Sequence, residues 1–189
     1  TTEDTLSLHD ALPIFWYLIG KITGEQRFKD AYETAFAFTI DPPKPRWKDY
    51  GIRYTREPTR EDGSDGAAYL SEVGPGGVGY DPEYTTLQVD LLTLLCGQSR
   101  DTKAIRLANL LTNELLERVD RNYWILDAGN GSRHTHVSRP VPFTIGSMTM
   151  LAWIAGRSDL AELLPGQARR LVDGYASGIR SGGPVYYRG

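Results

Sequence analysis

The chain has 189 residues and a formal net charge of −3, with charged residues at 24% and hydrophobic residues at 40%. That balance is ordinary for a globular protein with one core, and it offers no basic footprint for nucleic acid. No apolar run approaches the roughly 20 residues needed to span a bilayer, and the single Cys96 excludes an intrachain disulfide framework and a cysteine-based zinc site.

At the N-terminus, Thr5–Ile14 reads T-L-S-L-H-D-A-L-P-I, which resembles the translation of a common sequencing-library adapter. Residues 1–14 are therefore set aside as non-native, and His9 goes with them, leaving His134 and His136. The native chain is expected to start near Phe15, already inside a helical pattern. The C-terminal P-V-Y-Y-R-G reads like the start of a strand, so 15–189 is expected to be a single domain truncated at both ends.

Three helix pairs follow in order. The first is Phe15–Ile22, a break at Thr23–Glu25, then Arg27–Ile40, with Phe28, Ala31, Ala35 and Phe38 on one face. The second is Tyr84–Leu95, a break at Cys96–Ser99, then Thr102–Asp120. Ala104, Ala108, Leu111, Leu115 and Val119 there keep helical spacing, and Asp101 or Ser99 is placed to cap the helix. Cys96 ends the run L-L-T-L-L-C and reads as a buried small hydrophobe. The third is Ile145–Ala155, a break at Gly156–Ser158, then a helix from Pro165 with Leu164, Ala168, Leu171 and Tyr175 on its apolar face. Gly24, Gly97 and Gly156 fall where each helix must end and reverse. Their uneven spacing excludes a regular solenoid.

Two long connections join these pairs, Asp41–Glu83 and Asp120–Thr144. Both are rich in Tyr, Trp and Arg, which favours a functional role over disorder. Short strands are expected near Tyr123–Leu126 and Val185–Tyr187. E-D-G-S-D-G at Glu61–Gly66 lacks the ligand spacing of a calcium loop and reads as a mobile, solvated turn. G-P-G-G-V-G at Gly74–Gly79 lacks the strand-to-helix context of a nucleotide site and reads as a flexible approach to a cleft.

G-K-I-T-G-E-Q-R-F-K-D-A-Y-E-T-A at Gly20–Ala35 is similar to the hairpins of (α/α) toroid carbohydrate-active enzymes, where a small loop precedes an aromatic-x-x-Ala step. Y-D-P-E-Y-T-T-L-Q-V-D-L-L-T-L-L at Tyr80–Leu95 resembles their loop-into-helix segments that line the cleft. The resemblance covers most of Phe15–Ser177. It implies an all-α fold in which helical hairpins make part of a toroid, with the long loops gathered at one end as a substrate groove. It also implies a polysaccharide lyase or glycoside hydrolase acting on a polysaccharide or oligosaccharide, with no cofactor, no nucleic acid and no membrane partner. A secreted or periplasmic location follows from the resemblance alone.

G-N-G-S-R-H-T-H at Gly129–His136 is the sharpest chemical cluster. His134 titrates near neutrality and can move a proton. Arg133 can hold a carboxylate through two parallel hydrogen bonds. A lyase acting on a uronate needs both, one to abstract the proton beside the carboxylate and one to neutralise that carboxylate. Tyr84 is the expected acid or base partner, with Tyr80 and Tyr123 also available, and Asn130, His136 and Trp124 are expected to bind substrate. H-T-H also has the spacing of a metal pair but lacks a third ligand, so no metal is expected. Y-D-P-E-Y at Tyr80–Tyr84 is the second cluster. Asp81 and Asp127 are alternatively the paired carboxylates of a hydrolase, while Asp81 and Glu83 also suit the capping of a helix. A third reading is a non-catalytic glycan- or protein-binding module. Trp47, Tyr50, Tyr54 and Tyr69 are placed on loops where they could stack on sugars, and Trp153 is expected in the core.

Overall fold

The computed structural model describes residues 6–71, 79–120, 125–126, 139–140 and 142–180. Helices dominate them and come as three hairpins: α1 (Leu6–Thr23) with α2 (Gln26–Ile40), α3 (Pro82–Ser99) with α4 (Thr102–Arg118), and α5 (Pro142–Ala155) with α6 (Ser158–Arg180). β1 (Gly51–Arg56) and β2 (Ala67–Ser71) form an antiparallel pair in the first long connection. β3 (Val119–Asp120), β4 (Ile125–Leu126) and β5 (Arg139–Pro140) form a small antiparallel sheet in the second. Among the described residues no helix is long and apolar enough to cross a membrane.

α3 lies between α1 and α5. The C-terminal ends of the three meet: the Tyr17 hydroxyl donates to the Gln98 carbonyl at 3.0 Å, and a Cβ on Gly97 would lie 3.7 Å from Ile154 Cδ1. The short turns therefore share one end of the molecule, and both long connections leave from the other. α4 supplies the centre of the core. Ala104, Ala108, Leu111 and Leu115, the stripe expected from the sequence, are all buried against Val89, Leu92 and Cys96 of α3 and Met148 and Leu151 of α5. Full burial of a leucine side chain contributes about 1.5–3 kcal/mol, so this helix anchors the fold. Burial also pushes the Cys96 thiol up to about 12, as expected of a packing residue rather than a nucleophile.

Several boundaries differ from the sequence reading. α1 extends beyond Phe15 to Leu6, through most of the segment set aside. α2 buries Tyr32 and Phe36, while Phe28, Ala31, Ala35 and Phe38 form a half-buried flank. The Tyr32 hydroxyl turns this face towards α4 by donating to Asp101 Oδ2 at 2.6 Å. α3 runs through Cys96–Ser99, and Arg100, at φ 55°, takes the reversal assigned to Gly97. Asp101 caps α4, accepting the Lys103 backbone N–H at 2.8 Å. α6 starts at Ser158, and Pro165 lies inside it, because Leu160, more than a turn before the proline, is already buried in the core. Trp153 is 84% exposed instead of buried.

The first long connection is not a structureless loop. The β1–β2 hairpin lies along α4, and its tip is pinned there. Arg106 Nη1 donates to the carbonyls of Arg60 and Glu61 at 3.1 and 2.7 Å. Asn109 donates to the Asp62 carbonyl at 2.9 Å, and Asn113 to those of Ser64 and Gly66 at 2.9 and 2.6 Å. Asp65 closes the turn by accepting the Thr59 hydroxyl, which with the backbone N–H groups of Arg60 and Thr59 holds its carboxyl down at about 2. Gly66 is required by close approach, since a Cβ there would lie 2.7 Å from Pro58 Cβ and 2.8 Å from Leu110 Cδ2. The expected mobile, solvated turn is thus an ordered element seated on α4.

One apolar surface remains uncovered among the described residues. Phe15, Leu18 and Ile22 of α1, Leu87 and Leu94 of α3, and Met150 and Trp153 of α5 are exposed. On α3 and α5 each stands two positions from a core residue, about 200° around the helix, so it faces away from the core.

Candidate functional site

The long-connection end of the α3–α4 hairpin gathers the polar and aromatic residues. Asp81 is 2% exposed and caps α3. Its Oδ1 accepts the Tyr84 backbone N–H at 3.1 Å, and its carbonyl accepts the Thr85 backbone N–H at 2.9 Å. The carboxylate fills the orphan donors and favourable dipole of a helix start. Asp81 thereby fixes where α3 begins, and with it the half-buried side chain of Tyr84.

Tyr80 is buried at 1% exposure. Tyr69 of β2 meets its ring edge-on, centroid to centroid 5.5 Å, and the Arg118 guanidinium lies over it at 3.9 Å. Arg118 Nε donates in turn to Glu114 Oε1 at 2.5 Å, and Glu114 also accepts the Thr55 hydroxyl from β1. Glu114 is 1% exposed, so its charge is tolerated only through these partners. Burial raises the Tyr80 phenol above its ordinary range, which keeps it neutral. Its hydroxyl has no hydrogen-bond partner among the described residues.

Chemically, the cluster is a cation held in a fixed plane. A carboxylate grips one edge of the Arg118 fork and an aromatic face supports it, while a third of the side chain stays open to solvent. Such an arginine suits a carboxylate or another planar anion. Sequence reasoning missed Arg118 and Glu114. Their only local signal is the i,i+4 acid–base spacing of an ordinary helix pair.

No protein-family model, curated protein or solved structure matches the chain.

Of the residues expected in a site, the structure brings Tyr80, Asp81 and Tyr84 to this end. Trp124, Asp127, Asn130, Arg133, His134 and His136, and Tyr123 with them, lie outside the described residues. The strands that bracket them are described. β3 starts directly after Arg118, and Leu126 of β4 pairs with Arg139 of β5, so the chain leaves for residues 127–138 and returns at adjacent points. Among the loop aromatics, Trp47 packs edge-on between Phe38 and Tyr50 at 5.6 and 5.3 Å. Tyr54 is 38% exposed.

Proposed function

We propose that this chain is an arc of an (α/α) toroid and processes a uronate-containing polysaccharide by β-elimination. The carrying observation is Arg118, fixed over Tyr80 at the end where the first long connection enters α3 and the second leaves α4. Parallel α1, α3 and α5, each followed by an antiparallel partner, support the toroid part of the reading.

In this scheme His134, or a tyrosine, removes the proton at C5 of the uronate. The electron pair forms the C4–C5 double bond, the C4–oxygen bond breaks, and Tyr84 as acid or base partner protonates the leaving oxygen. Arg133 anchors the sugar carboxylate, and Arg118 adds a second cation to that end of the groove. Asn130, His136, Trp124 and Asp127 contact the sugar chain, whereas Tyr80, expected among them, is buried and instead supports Arg118 from beneath. Asp81 contributes by holding the start of α3 and so positioning Tyr84.

The roles separate in kinetics. Against a uronate polymer that the wild type cleaves, Arg133→Ala raises KM, and His134→Ala lowers kcat by about a hundredfold or more, the scale of a lost general base. Unchanged kcat in His134→Ala contradicts the assignment of that residue.

A further inference from the structure

Nearer the start of α4, on the same face as Glu114 and Arg118, lies a groove of about 390 Å³ walled by α2, β1 and α4. Its size is that of a small-molecule site. Phe36 and Ile40 of α2, Ile52 of β1, and Leu107 and Leu110 of α4 make the floor. Ala37, an exposed α2 position on the lining, projects only a methyl group into the mouth.

The charges around this floor are unequal in what they can still bind. Lys103 Nζ is committed to Glu33 Oε2 at 2.5 Å. Asp41 has its side chain 85% exposed, with Lys44 at 4.0 Å, so water satisfies it. Arg106 is half-buried, and Nη1 is spent on the carbonyls of Arg60 and Glu61. Among the described residues no carboxylate pairs with it. An apolar floor beside one half-buried, uncompensated guanidinium matches a ligand with an apolar body and a single negative head.

We propose that the α2–β1–α4 groove is a binding site for an amphiphile bearing one carboxylate, with Arg106 as the head-group anchor. The site is independent of the β-elimination reading and uses none of its residues.

The test is isothermal titration calorimetry of the full chain with decanoate, with decanol as the uncharged comparison, each below its aggregation threshold. Ala37→Trp plugs the mouth from an exposed helix position, and Arg106→Gln removes the charge; circular dichroism checks that both variants keep the wild-type helicity. The proposal expects one saturable decanoate site and decanol at least about tenfold weaker. It also expects Arg106→Gln to lose about tenfold in decanoate affinity and Ala37→Trp to lose binding altogether. No saturable decanoate binding overturns it, as does equal affinity for decanol or undiminished binding to a folded Ala37→Trp.

Discussion

Arg157 Nη2 donates to Asn113 Oδ1 at 3.1 Å, joining the turn between α5 and α6 to the middle of α4. The same guanidinium reaches Asn109 Oδ1 at 3.3 Å and Asp159 at 2.5 and 2.7 Å. Both asparagines pass the connection on through their amide N–H groups to the tip of the β1–β2 hairpin. One buried arginine thus ties the third helical hairpin to the β-hairpin through the second.

Removing Arg157 strands two buried asparagine oxygens and loosens the asparagines that help to hold the hairpin tip. Arg157→Met is expected to cost about 3 kcal/mol, and Arg157→Lys to restore little of it, because an ammonium cannot span the fork. Denaturant midpoints measure both. The Arg157 hydrogen bond holds the Asp159 carboxyl below its ordinary range. Its folded value lies below its unfolded one, so it contributes stability above about pH 4 that is lost as pH falls through the folded value. Asp159→Asn should flatten that acid limb, weakly and less so at high salt, because Asp159 is 59% exposed.

Asp90 carries the opposite sign. Burial on α3 raises its carboxyl, and the hydrogen bond with Ser147 only partly offsets the rise. Its Oδ1 is buried without a partner among the described residues. With the folded value above the unfolded one, stability is fullest below about pH 4 and falls as pH rises through the folded value. Asp90→Asn should therefore match the wild type in acid and exceed it at neutral pH. Thermal unfolding across pH checks this, and a less stable variant at pH 7 would contradict it.

Arg100 holds φ 55° without being glycine, a conformation that costs an L side chain about 1 kcal/mol or more. Arg100→Gly is expected to stabilise the α3–α4 turn by up to about 1 kcal/mol, against the usual direction of a glycine substitution. The denaturant midpoint should rise.

Ile22 and Trp153 are exposed at 83% and 84% on α1 and α5, the two helices that flank α3. Ile22→Glu with Trp153→Glu should reduce self-association with stability changed by about 0.5 kcal/mol or less per site. Light scattering against concentration reports the first and denaturant unfolding the second.

The helices were legible because their cores repeat at helical period. Ala104, Ala108, Leu111 and Leu115 are spaced as an apolar stripe and bury as one. The β1–β2 hairpin was not. β1 buries only Gly51 fully, and β2 buries four of five positions on both faces, so neither alternates as a half-buried strand does. Trp153 was misread because α5 is apolar nearly all round, which hides which side meets the core. In the candidate site, Asp81 was legible as a cap from Y-D-P-E-Y. Glu114 and Arg118 were not, because only the β-hairpin lying over α4 turns an ordinary i,i+4 pair into a buried one.

We propose β-elimination on uronates at the loop end of this hairpin array, a reaction with a distinctive product. The most direct measurement follows ultraviolet absorbance and reducing ends together while the chain acts on a panel of uronate polysaccharides. Under β-elimination both rise in step, as each broken linkage leaves an unsaturated sugar. New reducing ends without absorbance would mean hydrolysis and contradict it, as would the absence of cleavage across the panel.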